Sequence, residues 1–134
     1  MLKRFFEQLS KEMGLAKPLV SNEEGSYSLF LESDLEISLR ENAESGITLF
    51  TVVAPLPAGK NEEYMLMLMT ANLLGRETGG CALGLDKAGK NVTLTTFLSE
   101  ELNYKQFHEA LESFANYTDS WREETTEFIQ GATA

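Results

Sequence analysis

KNEEYMLMLMTANLLG, residues 60–75, is the stretch that decides the fold. Its Met, Leu and Ala residues are good helix formers, and Asn61, Glu62 and Glu63 supply an acidic first turn, so it predicts a helix over residues 60–74. The middle of that helix, Tyr64-Met65-Leu66-Met67-Leu68-Met69, is apolar on every side. A single sheet can cover only one of those sides, so something else must cover the other. Downstream, Gly75 and then Gly79-Gly80 release the chain into Cys81 to Asp86, a turn at Lys87-Ala88-Gly89-Lys90, and Val92 to Leu98, which read together as a β-hairpin. Upstream, Tyr27, Leu29 and Leu31 alternate with Ser28 and Phe30. Leu35, Ile37 and Leu39 then alternate with Glu36 and Ser38, the pattern of a half-buried strand. A bend near Ser33-Asp34 joins these two, and Ser45-Gly46 turns the chain into the β-branched and aromatic run Ile47 to Ala54, which ends at Pro55-Leu56-Pro57.

Two more helices flank this core. Leu2, Phe5, Phe6, Leu9 and Met13 lie on one helical stripe, with Gly14 placed to end it and Pro18 in the break that follows. From Asn103 onward, Tyr104, Phe107, Leu111, Phe114, Thr118, Trp121, Thr125 and Phe128 step alternately by three and four residues, and Gly131 to Ala134 reads as a frayed tail. The order is helix, three-stranded antiparallel meander, helix, two-stranded hairpin, helix, which predicts an α+β fold. No linker or internal repeat divides residues 1–134, so the chain reads as a single domain.

Composition narrows the function. The 134 residues carry a net charge of −10 with 43% hydrophobic residues, enough apolar material for a core. An acidic chain repels phosphate backbones and anionic headgroups, so neither nucleic acid nor a membrane is the expected partner; a protein is. The longest apolar run, Tyr64 to Met69, is far short of the roughly 20 residues that span a bilayer. Glu7, Lys11 and Glu12 break up any signal-peptide core. With one cysteine and no leader, the expected compartment is a reducing cytoplasm, and the sequons at Asn91 and Asn116 read as chance.

Chemistry is sparse. Cys81 and His108 are the sole residues of their types, so no zinc cluster or internal disulfide is expected. Gly59-Lys60 is followed by Asn61 and has Ala54 five residues before Gly59, which is no phosphate loop. Gly75 to Gly80 is glycine-rich but follows a helix, where a dinucleotide fingerprint needs a strand. Cys81 reads as a small buried residue and His108 as a surface or interface residue beside Phe107. Paired glutamates such as Glu62-Glu63 and Glu123-Glu124 point apart on a helix and read as solvated charge. Neither a catalytic group nor a cofactor is expected. Charge is uneven, however: Lys3, Arg4, Lys11 and Lys17 against Glu7 and Glu12 leave residues 1–17 at +2, whereas residues 99–134 stand at −6. That acidic helix suits solubility and the guidance of a basic partner segment.

The residues also carry a family resemblance. The element order, the run Met67-Leu68-Met69-Thr70-Ala71-Asn72-Leu73-Leu74, and the following Gly79-Gly80-Cys81-Ala82-Leu83-Gly84-Leu85 and Val92-Thr93-Leu94 resemble the class I chaperones of bacterial type III secretion, the Tir chaperone family. The resemblance implies a cytoplasmic homodimer, neither enzyme nor nucleotide binder, whose second helix lies at the two-fold interface and so hides the apolar helix. It implies that the dimer holds an N-terminal segment of a secreted effector in extended form against apolar patches, and it brings in the secretion ATPase as a further partner. Carried onto this chain, the implied effector patch is Phe5, Phe6, Leu9 and Met13 with Leu29, Leu31, Ile37 and Leu39, and the implied dimer residues are Leu66, Met69 and Leu73. An extended segment adding a strand to the edge of the meander gives such binding a physical basis. The alternative is a regulatory domain of the same fold that sequesters a non-secreted partner such as a transcription factor.

Overall fold

The computed structural model describes residues 2–13, 26–31, 35–42, 46–57, 59, 61–75, 78–99 and 101–133. Within them α1 is Leu2–Met13, β1 Ser26–Leu31, β2 Leu35–Glu41, β3 Ile47–Pro55, α2 Asn61–Asn72, β4 Ala82–Leu85, β5 Asn91–Leu98 and α3 Tyr104–Thr133. The expected turn at Ser33-Asp34, the cap at Gly14 and the break at Pro18 lie outside the described residues.

Meander and hairpin merge into one antiparallel sheet in the order β1-β2-β3-β5-β4. The merger follows from register: β5 pairs with β3 along its whole length, so Leu94 stands opposite Thr51 on one side and Leu83 on the other. Leu29 opposite Ile37 and Leu39 opposite Leu49 continue the same face. Period-two alternation puts all of these on the helix side, where they are fully or almost fully buried. A shift in register between Val52 and Ala54 frees the Val53 carbonyl, which accepts a hydrogen bond from Arg122 Nε at 3.1 Å and ties β3 to α3.

α3 crosses that face. Phe107, Leu111, Phe114, Thr118, Trp121 and Thr125, the stripe expected from the spacing, are all buried. Its two buried threonines are satisfied, since Thr118 Oγ1 donates to the Phe114 carbonyl at 2.8 Å and Thr125 shares a hydrogen bond with the Tyr64 hydroxyl of α2. Helix continues through Gly131 to Thr133, where a frayed tail was expected, because one exposed glycine costs a helix only about 1 kcal/mol. α1 packs by its aromatic stripe: Phe5 lies 5.0 Å from Phe107 and Phe6 lies 4.7 Å from Tyr27, centroid to centroid. Tyr104 Oη donates to Glu12 Oε2 at 2.6 Å and fastens the far end of α1.

α2 is shorter than the sequence suggests. It ends at Asn72 and tightens into a 3-10 turn over Leu73–Gly75, and Gly75, at φ +65°, accepts from the Gly80 amide at 3.1 Å. Gly79 in this corner is there for space. A Cβ on Gly79, which has φ +62°, would fall inside the Tyr117 ring of α3.

Candidate protein-binding site

The structure divides the residues singled out in the sequence into two groups. Phe5, Phe6, Leu9, Leu29, Ile37 and Leu39 are core: α1 lies on the sheet with its apolar stripe inward, so these six side chains hold the chain together and are not open surface. Met13 ends α1 and Leu31 ends β1, and their side chains are not among those described. The α2 residues are the reverse case. Tyr64, Leu68 and Ala71 face the core, while Leu66, Met69 and Leu73 stand 66%, 70% and 65% exposed on the opposite face. The helix with apolar residues all round thus has one face covered and one bare.

Two further apolar surfaces stand out in the fold. An apolar groove of about 360 Å³ runs between α1, β1 and α3, floored by Leu9, Leu29, Leu111 and Ala115, with His108 and Glu112 at its polar side. Leu9 and Leu29 contribute to it from beneath, so two of the implied patch residues do touch a surface feature. Sequence spacing could not show this groove, because its walls come from three elements far apart in the chain. The second is the outer face of the sheet, which carries Phe30 at 63% and Phe97 at 73% exposure. Their positions in the alternation of β1 and β5 were legible, and they mark the face opposite α3.

Asn72, which in the sequence is part of the family motif, joins α2 to β4 through its side chain. Its Nδ2 donates to the Leu83 carbonyl and its Oδ1 accepts from the Leu83 amide, both at 2.8 Å, so the carboxamide pairs with β4 as a neighbouring strand would. At the other end of the hairpin Asp86 accepts from Asn91 Nδ2 at 2.7 Å and from the Lys90 amide at 2.9 Å, and these bonds hold its carboxyl below the usual range.

The reactive side chains lie apart from one another. Cys81 is buried, and burial pushes its thiol up, away from the thiolate a nucleophile needs, although a hydrogen bond with Thr96 partly offsets this. His108 stacks obliquely near Tyr104, with ring centroids 6.1 Å apart, at the groove. Among the described residues no group of three or more His, Cys, Asp or Glu side chains is placed to hold a metal ion. No described helix is long and apolar enough to cross a membrane.

A bare apolar helix face and an apolar groove on a small α+β scaffold define a protein that works through contact with other chains. Comparison makes the class specific. The profile of the Tir chaperone protein (CesT) family matches residues 4–122. A Chlamydia pneumoniae protein, CPj0713/CpB0740, is 33% identical over 122 residues, which span 90% of this chain and 93% of that one. Among solved structures, a chain of the ExsC–ExsE complex superposes with a TM-score of 0.78 at 19% identity, covering 91% of each chain. A chain of the HopA1–SchA chaperone–effector complex superposes at 0.69 with 18% identity, covering 91% of this chain and 93% of that one. The chain belongs to the Tir chaperone (CesT) family, the class I chaperones of type III secretion.

Proposed function

We propose that this chain is a homodimeric, ATP-independent chaperone of the bacterial cytoplasm that holds the N-terminal segment of a type III secreted effector in extended form. The family match over residues 4–122 carries the reading. Geometry supports it in two places. The exposed row Leu66, Met69 and Leu73 suits a two-fold contact in which the same face meets itself. Pairing that face across a two-fold would take these Leu and Met side chains of both copies out of water, the apolar gain on which such a dimer depends. The groove between α1 and α3 offers apolar pockets to an extended segment, and the acidity of α3 keeps a surface with such patches soluble. Binding of this kind needs no catalytic residue, cofactor or nucleotide, and residues 1–134 act as a single domain. Handover of the loaded chaperone to the secretion ATPase completes the proposal.

Co-expression with each candidate type III secreted protein of the same genome tests it. The expected result is co-purification of one such protein's N-terminal segment with two copies of this chain, and a mass in solution of twice 14.9 kDa for the chain alone. A stable monomer at low micromolar concentration that leaves the segment insoluble would overturn the reading.

A further inference from the structure

A five-stranded sheet with two terminal strands presents two places where another strand can pair. In this sheet they are β1 and β4. They are not equivalent. Among the described residues no strand pairs with the outer side of β1, which spans Ser26–Leu31. β4 has only four residues, and the outward amide and carbonyl of Leu83, near its middle, are both taken by the Asn72 carboxamide at 2.8 Å. An antiparallel partner needs that donor and acceptor together, because they form one closely spaced pair of the ladder. α2 itself packs along β4, so any entering strand would have to displace both the side chain and the end of its helix.

We propose that Asn72 closes the β4 edge against strand addition. Where an extended effector segment adds a strand, the closure directs it to β1; that consequence rests on the chaperone reading, while the closure itself does not. The same contact explains a tension in the surface. β4 carries the apolar residues Leu83 and Leu85 and no charged residue, so apart from its shortness it lacks the lysine or proline that blunts an edge against pairing between copies of the chain. Asn72 blunts that edge with one side chain and without a strand.

Hydrogen exchange on the full chain tests the closure without any client, so a failed chaperone reading would leave the outcome untouched. In the unmodified protein the Leu83 amide should exchange as slowly as the Leu94 amide of central β5, although it points away from the sheet. Rapid exchange at Leu83 would overturn the proposal whatever the variants do. Asn72→Ala should speed Leu83 exchange at least tenfold and leave Leu94 slow. It should also cause concentration-dependent association beyond the oligomer of the unmodified chain, with new protection at residues 82–85. A merely structural Asn72 would lose stability without that association, and this outcome refutes the closure. Adding Leu85→Lys to Asn72→Ala should abolish the association, since an edge lysine blocks pairing by its charge. If Asn72→Ala does not fold, Asn72→Asp keeps the acceptor for the Leu83 amide while losing the donor to its carbonyl. It should then give exchange between the two extremes, and unchanged exchange would count against the proposal.

Discussion

Phe6 shows how a residue's role is set by what lies beneath it. It is 2% exposed under α1, packed on Tyr27, so Phe6→Asp both empties a core site and buries an unpaired charge. The expected loss is about 4 kcal/mol or more, read as a collapse of the urea midpoint, and a stable folded variant would show that α1 is not docked. Gly79 is constrained for a different reason. Gly79→Ala combines a left-handed backbone with a methyl aimed into the Tyr117 ring, and should cost about 2 kcal/mol, visible as a lower Tm. Both effects concern stability, which is why the apolar stripe and the glycine pair are informative about the fold and less so about the binding surface.

At the scale of elements, α1 and α2 are held in opposite ways. α1 is fixed by aromatic packing and by the hydrogen bond from Tyr104 to Glu12, and burial together with the Glu12 carboxylate pushes the Tyr104 hydroxyl up to about 12. The folded chain therefore holds that proton more tightly than the unfolded chain, where the usual value is 10.0. Its contribution is complete below pH 10 and is lost as pH rises through the folded value. An absorbance titration should show Tyr104 ionising late, with α1 loosening as it does, and Glu12→Gln should bring that ionisation to lower pH. α2 is half covered and half bare. On the proposed dimer, Leu66→Glu combined with Met69→Glu should halve the mass in solution while circular dichroism and Tm stay within the range of exposed substitutions, because neither side chain touches the core. An unchanged mass would place the dimer contact elsewhere.

For the whole molecule, the proposed function assigns separate surfaces to separate tasks. The α2 face lies apart from the groove bounded by α1, β1 and α3, so the proposed dimer contact and the proposed segment binding can be tested one at a time. Ala115→Arg puts a long cation into the groove from the half-buried side of α3. It should reduce capture of the effector segment at least tenfold, measured by pull-down against the unmodified chain, without changing the mass of the free protein. Equal capture would move the binding surface to the outer sheet face around Phe30 and Phe97.

The sequence by itself determined the element order, the stripe of α3 from Phe107 to Thr125, the alternation that gives the sheet a buried and an open face, and the presence of a second apolar face on α2. These follow from periodicities of 3.6 and 2, which are local and can be read along the chain. Only the tertiary structure decided which apolar residues were covered. Phe5, Phe6, Leu29, Ile37 and Leu39 look as available as Leu66 and Met69 in the sequence, and differ only because α1, α3 and the inner face of the sheet close on one another around the first set. The joining of β5 to β3, the groove between three distant elements and the pairing of Asn72 with Leu83 were likewise beyond sequence patterning. Each depends on contacts between residues far apart in the chain, and burial is a property of those contacts and not of the residue type.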